Sequence, residues 1–430
     1  MDRTLGLALL VALLPEEAAP VLPHYARDQS LGVATCASSM CHGSITPWKD
    51  SHVQQNEYVI WSRQDRHARA YGTLTTERSA QIVRRLGLNM PATQAAICLD
   101  CHTHNVPPER RAPGFSLTDG VSCEACHGPA ERWIKGHGEP REKRSRQGTR
   151  ELYPIADIEA RARLCQSCHF GNAQKLVTHR MMAAGHPRLS FELDTFTSIL
   201  PPHSPRPGHG AQAWAMGQAL AAEELLGLLT DPKHGRDGLF PELVLFDCHA
   251  CHHPMSKPRN AGARTGVGPG TVRLNDSNLL MVRHIARRLD PALGEGLARD
   301  IEKLRAAIAG GGEDALARAR GVQASVRILV QKIGAHPFSD ADLRGVLLAL
   351  IDDGLAGQYS DYQGAEQAAM AAQALADFMS RRGVVKSAAV KPALGRLMAA
   401  VENDEQYTPA RFADALRELR MGVEKEEGRK

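Results

Sequence analysis

Hydrophobic residues in the C-terminal part of the chain follow a helical rhythm. This part begins near Asn275, and its apolar residues recur at three- and four-residue spacing, as in Leu279, Val282 and Ile285. Glycines such as Gly310 break the rhythm into separate segments. The last 150 or so residues are therefore predicted to form an all-helical domain with its own core.

The N-terminal part shows shorter apolar stretches separated by polar and Pro/Gly-rich ones. A short helix carrying His67 is predicted within residues 57–74, and a second helix over residues 76–88 begins with Thr76 as a cap. Further helices are predicted over residues 156–170 and 211–229. The expected fold class is mainly α with little regular sheet.

These patterns predict four successive regions. Residues 1–19 contain an apolar run from Leu5 to Leu14, too short to span a bilayer and typical of a secretory signal peptide, although Asp2 weakens the basic region; a buried first helix is the alternative. Residues 254–274 are rich in Gly, Pro and Arg and form the expected linker. It separates an N-terminal domain, residues 20–253, from the helical domain, residues 275–430.

All ten cysteines fall into five pairs, and a histidine directly follows each pair. Cys-x-x-Cys-His is the attachment signature of c-type haem: two thiols add to the porphyrin, and the adjacent imidazole binds the iron. We therefore predict five covalently attached haems c. The five sites, in chain order, are Cys36, Cys41 and His42; Cys98, Cys101 and His102; Cys123, Cys126 and His127; Cys165, Cys168 and His169; and Cys248, Cys251 and His252.

Site one departs from the signature because four residues, and not two, separate Cys36 from Cys41. A disulfide, or a single thioether at Cys41, is the alternative interpretation there. Zinc ribbons and redox dithiols also use Cys-x-x-Cys, but neither requires a histidine directly after every pair. Iron–sulfur clusters are typically bound by cysteines that follow each other more closely in the sequence.

Other histidines are candidates for the second axial position of each iron. Bis-histidine ligation is favoured because no methionine stands in a comparable position. His179 and His186 are seven residues apart and could share one helical face, with Pro187 ending the helix after His186. His104 is expected to be a propionate contact or a surface residue, and His284 a packed or surface residue. The distal candidates are His186, His137 and His67, followed by His179 and His203.

The formal charge is +4 with neutral histidines, and the sequence pI is about 8.5. Each ferric haem with two neutral histidine ligands would add about −1, so the holoprotein would be near neutral or mildly acidic. The basic pI is thus no argument for nucleic acid or for anionic membranes. The chain has only twenty Phe, Trp and Tyr residues, and buried porphyrins would supply the missing flat apolar surface.

Three stretches resemble the cytochrome c-554 family of multihaem cytochromes: GVSCEACHGP…WIKGH at 120–137, EYVIW…DRHARAY at 57–71 and AAGHPRLSFELDTF at 183–196. The resemblance covers about residues 36–253. It implies a mostly helical periplasmic protein with stacked haem pairs, related in haem arrangement to hydroxylamine oxidoreductase and pentahaem nitrite reductase. It carries distal roles onto His67, His137 and His186, with His179 and His203 as additional members. The stretched site one, the fifth site and the helical tail exceed the pattern of a tetrahaem carrier.

Two functions are compatible with this chain. The first is an extracytoplasmic electron relay between redox proteins, with at most peripheral membrane contact. The second is a redox enzyme acting on a small nitrogen or sulfur compound at a haem with an open distal position. No Cys pair here is followed by Lys, the proximal residue at the catalytic haem of pentahaem nitrite reductases. The helical tail could join copies of the chain or dock on a partner complex.

Overall fold

A computed structural model describes residues 19–49, 51, 53–138, 152–201, 210–236, 241–252, 272–311 and 314–424. All but the last residue of the predicted signal segment, most of the predicted linker and the distal candidate His203 lie outside the described residues.

The N-terminal part consists mainly of short helices joined by irregular segments and 3-10 turns. The mainly helical fold class predicted from the sequence is confirmed, and the only β pairing among the described residues is two isolated bridges, Ser30 with Arg111 and Phe246 with Leu274. The helices are α1 (Glu57–Gln64), α2 (Glu77–Leu86), α3 (Ala96–His102), α4 (Cys123–His127), α5 (Ile158–His169), α6 (His179–Ala184), α7 (Leu193–Ser198) and α8 (Ala211–Thr230).

Helix α2 begins where the sequence predicts, with the Thr76 side chain accepting a hydrogen bond from the Ser79 N–H. The prediction that His67 lies on the helix of residues 57–74 is wrong. Helix α1 ends at Gln64 because Asp65 adopts an extended conformation, and His67 begins a separate 3-10 turn. The Asp65 carboxylate then accepts hydrogen bonds from both the backbone N–H and the Nδ1 of His67.

His179 and His186 do not share a helical face. Helix α6 starts at His179 and ends at Ala184, and Gly185 follows with a φ of 118°, a left-handed conformation that ends the helix before Pro187 can. His186 therefore lies beyond the end of the helix that carries His179.

The described residues after 272 form seven helices, in agreement with the all-helical region that the apolar spacing predicts. They share one large core with α8, whose Trp214 and Leu226 are fully buried, and with residues of α5 and α7. Among the described residues, none of the helices is both long enough and apolar enough to cross a bilayer. The seven are α9 (Ser277–Leu289), α10 (Pro291–Ala309), α11 (Ala315–Ala335), α12 (Asp340–Leu355), α13 (Tyr362–Arg381), α14 (Ser387–Ala400) and α15 (Pro409–Glu424).

The region of the first four Cys–His sites has much less apolar packing of its own. The three clusters found there among the described residues contain only five, four and three buried side chains. They centre on Ile82 with Met181, on Leu74 with Leu99, and on Tyr153 with Leu164. Cys98 and Cys126 of the predicted sites pack against two of these clusters.

Candidate haem-binding sites

Four of the histidines predicted as proximal ligands each face one of the distal candidates. The ring centres lie 6.1 Å apart for His42 and His137, 6.4 Å for His102 and His186, 6.0 Å for His169 and His67, and 5.9 Å for His252 and His179. Each pair joins residues that are far apart in the sequence. His137 thus faces His42 of site one. It does not pair with His127 of site three, which is its nearest predicted proximal histidine in the sequence.

This spacing is that of two imidazoles on opposite sides of one metal ion. A metal–nitrogen bond of about 2 Å on each side would put the two ring centres about 6 Å apart. Other aromatic pairs in the structure reach the same separation, such as Tyr359 and Phe412 at 6.0 Å, so the indication lies in the partners: each of the four pairs joins a predicted proximal histidine to a distal candidate. The four pairs thus leave between them the room that an iron atom requires.

The hydrogen bonds of these rings determine which nitrogen is available. Nδ1 of His42 lies 2.8 Å from a carboxylate oxygen of Glu57, and Nδ1 of His67 lies 3.0 Å from Asp65. Nδ1 of His137 lies 2.7 Å from the Ile134 carbonyl oxygen. Because these partners can only accept, Nδ1 must carry the proton, and the Nε2 lone pair is left for a metal.

Two more rings follow the same arrangement. Nδ1 of His102 lies 3.1 Å from the Ala70 carbonyl oxygen and 2.8 Å from the Thr73 hydroxyl, and Nδ1 of His186 lies 2.8 Å from the Pro187 carbonyl oxygen. Metal-binding histidines in proteins show this outer hydrogen bond almost always, because it fixes the tautomer and orients the ring. The donor set therefore fits a bis-histidine haem.

The same contacts shift the proton affinity of the rings in different directions. The hydrogen bond to Glu57 raises the pKa of His42, and the hydrogen bond to Asp65 raises the pKa of His67. Burial lowers the pKa of His169 and of His186. A carboxylate partner makes an imidazole a stronger ligand, so the irons at His42 and His67 would be the more electron-rich.

Thiols of different sites meet in pairs. The Cys36 side chain of site one contacts Cys123 of site three, and Cys101 of site two contacts Cys168 of site four. Cys126 of site three is also close enough to Cys165 of site four to interact with it electrostatically. Site one is therefore a neighbour of site three, site two of site four, and site three of site four. Only the last two of these sites follow each other directly in the sequence.

Site five adjoins site four through a cavity at the edge of the large core. His169, Phe191 and Cys248 line it together with Gln363 of helix α13. Arg188 also lines the cavity, hydrogen-bonded to Glu366 at 2.8 Å and stacked over the Tyr362 ring. The C-terminal helices thus contribute side chains to the surroundings of two sites, which the sequence alone did not predict.

Other histidines take different positions. His104 is buried, so a surface position is excluded for it, and its Nε2 lies 2.9 Å from the Ser30 hydroxyl. His284 is packed as predicted, with Nε2 2.7 Å from Asp353. His24 drew no attention in the sequence, yet burial lowers its pKa to about 3. No motif in the sequence around His24 distinguishes it from other histidines, and only its position in the fold does so.

No group of three or more His, Cys, Asp or Glu side chains within the described ranges is arranged to hold a metal ion. A haem iron takes only two axial side chains, because the porphyrin supplies its other four ligands. The pairs described above are therefore the arrangement that this cofactor needs.

Residues 35–128 match the family model described as cytochrome c554 and c-prime. The matched segment holds sites one to three and His67, and it supports the interpretation of the chain as a c-type cytochrome, a class of electron-transfer proteins with covalently bound haem c. More narrowly, the match supports membership of the c554 family and confirms the resemblance found in the sequence. Neither the curated proteins nor the solved structures include a significant match, and the relation to hydroxylamine oxidoreductase stays a prediction.

Proposed function

We propose that this cytochrome is an extracytoplasmic relay that moves electrons through five haems c between redox partner proteins. Each haem would be attached at one of the five Cys pairs, with His42, His102, His127, His169 and His252 as proximal ligands. His137, His186, His67 and His179 would be the distal ligands of sites one, two, four and five, respectively. The observation that carries the proposal is that four of these proximal histidines each face a distal candidate, with ring centres about 6 Å apart, a distance that two ligands of one iron would have.

Contacts between sites supply a route for the electrons. The thiol contacts link site one to site three and site two to site four, and Cys126 with Cys165 links the two couples. The cavity of His169 and Cys248 joins site five to site four. Haems at these positions would be separated by side-chain distances only, so an electron entering at site one could reach site five through sites three and four.

An extracytoplasmic location agrees with the apolar N-terminal run and with haem attachment, which normally takes place outside the cytoplasm. We also propose that residues 20–253 form the haem domain with all five sites, and that residues 275–430 form a helical domain that packs beside site five and docks on a redox partner or a second copy. The packing of helix α13 against the surroundings of sites four and five supports a direct role for the helical domain beside the haems.

The number of haems can be counted directly. We expect the intact mass of the mature protein to exceed that of its polypeptide by five haems. A Cys98→Ala/Cys101→Ala variant, which removes one standard site, should carry four. A Cys36→Ala variant should lose the second thioether of site one and hold that haem by Cys41 alone. A wild-type protein with four haems, unchanged in the Cys36→Ala variant, would contradict site one as an attachment site.

The relay function predicts reactivity toward proteins and inertness toward small substrates. We expect the fully reduced protein to pass electrons to a small soluble cytochrome c within a single mixing experiment, at rates that fall with ionic strength. Nitrite, hydroxylamine and sulfite should show no multiple-turnover conversion under the same conditions. Sustained turnover of any of the three, with electrons supplied or withdrawn by a mediator, would favour the enzyme and contradict the relay.

A further inference from the structure

The segment before the first haem site is folded over site three. The N–H groups of Leu31 and Gly32 each lie 2.8 Å from a carboxylate oxygen of Glu124, a residue between the two cysteines of site three. The N–H of Gln29 lies 2.8 Å from Glu131, and Asp28 forms an ion pair with Arg132. Residues 19–35, here called the N-terminal strap, are thus fixed at both sides of helix α4.

The glycine in this strap is required by its close packing. Gly32 has a φ of 91°, and a Cβ atom there would lie 2.3 Å from the Gly114 carbonyl oxygen. The Glu124 carboxylate is almost fully buried and accepts a third hydrogen bond from the Ala130 N–H at 2.7 Å. The strap is therefore a built part of site three.

His24 lies on this strap where it passes helix α4. It belongs to the 3-10 turn Pro23–Tyr25, which packs directly against Cys123–His127. The preceding Leu22 packs into the same small cluster as Cys126. The turn that carries His24 therefore lies against the helix whose two cysteines would carry the haem of site three.

The Nε2 atom of His24 is buried and has no hydrogen-bond partner among the described residues. Leaving a buried polar atom unsatisfied costs about 1–3 kcal/mol, so such an atom calls for a physical explanation. A metal bound at Nε2 would satisfy it, and Nε2 is also the nitrogen left available in the paired rings of His42, His67 and His137.

From this placement we infer that His24 is the distal axial ligand of the haem at site three, opposite His127. The inference rests on the proposed attachment of a haem to Cys123 and Cys126. It would make the N-terminal strap a functional part of the cofactor site, closing the iron to small ligands. Each of the five irons would then have two histidine ligands, in agreement with a relay that does no chemistry on small molecules.

His104 is the neighbouring histidine with which His24 can be compared. It too is buried, and its Nδ1 has no hydrogen-bond partner among the described residues. Its Nε2, however, is engaged by the Ser30 hydroxyl at 2.9 Å, so only the nitrogen closer to the backbone remains. The arrangement is opposite to that of the five rings whose Nδ1 is hydrogen-bonded, and His104 serves as the matched control.

The test uses the full-length holoprotein and two spectroscopic readouts. In the wild type, we expect ferric electron paramagnetic resonance to show low-spin haem only, and the ferrous protein to bind no carbon monoxide. In His24→Ala, one haem in five should become high-spin and bind one carbon monoxide per chain, and added imidazole should restore the low-spin spectrum. His24→Met should stay low-spin with one raised reduction potential.

Three results would overturn the inference: a His24→Ala protein that stays wholly low-spin, a wild type that already binds carbon monoxide at site three, or a high-spin haem produced by His104→Ala. Peptide mass spectrometry of the haem bound at Cys123 and Cys126 separates these outcomes from a failure of the proposed function. A site three without haem in the wild type would contradict the five-haem proposal itself, and the inference with it.

Discussion

Without haem, the chain should keep its C-terminal helices and lose the structure of the first three sites. The large core joins residues from Ala162 to Val423, whereas the clusters around sites one to four contain at most five buried side chains each. At about 25 cal/mol per Å² of buried apolar surface, such small clusters cannot offset the entropy of ordering some hundred residues. The porphyrins would have to supply the missing surface.

Hydrogen exchange read by mass spectrometry would measure this effect. The comparison is between the mature protein and the same chain produced in a cytoplasm that does not attach haem, kept reduced. Amides of α9 to α15 should be protected in both proteins. Those of α1 to α4 should exchange at unfolded rates only in the haem-free protein. Equal protection of α1 to α4 in the two proteins would contradict this expectation.

Removing one distal histidine ring should change one haem from low-spin to high-spin and leave the other four low-spin. His186 faces His102, and His179 faces His252. His179 and His186 thus face different sites, although they are only seven residues apart in the sequence. We expect one high-spin haem in His186→Ala, one in His179→Ala and two in the double variant. His186→Met should retain a low-spin haem and raise its reduction potential on the order of 100 mV, within the span of about 0.8 V that axial ligands cover.

Electron paramagnetic resonance and a potentiometric titration of the holoprotein would check these values. His336→Ala is the matched control, because that ring is half exposed and lies next to Asp342 and Phe338, and among the described residues it pairs with no histidine of the Cys–His sites. If the double variant showed a single high-spin haem, the two rings would serve the same iron, and the pairing described for sites two and five would be wrong.

Local features of this protein could be predicted from its sequence, and non-local ones could not. The Cys–Cys–His motifs and the capped start of helix α2 depend on residues within a few positions of each other. The placement of His67 on a helix failed because a single extended residue, Asp65, ends α1 two residues earlier. Asp65 accepts hydrogen bonds from the backbone and the ring of His67. The spacing of apolar residues contains no information about such local hydrogen bonds.

The pairing of rings was beyond the sequence for a different reason. His137 lies close to site three in the chain, but the fold brings it to site one. His24 could not be distinguished from other histidines until its turn was seen to pack on helix α4. Likewise, α8 has the apolar composition of a helix buried on all sides, yet only the structure shows that it shares the core of the C-terminal helices.

The four ring pairs have a consequence for how the chain unfolds. Each pair would close a loop of roughly 70 to 100 residues, and a cross-link of that length removes several kcal/mol of entropy from the unfolded chain. The first three loops overlap, since the chain enters the second and third before it leaves the first. With iron bound, opening one pair would free only part of its loop, because the other two pairs would still restrain the residues that the loops share. A region with little apolar core can in this way melt as a single unit.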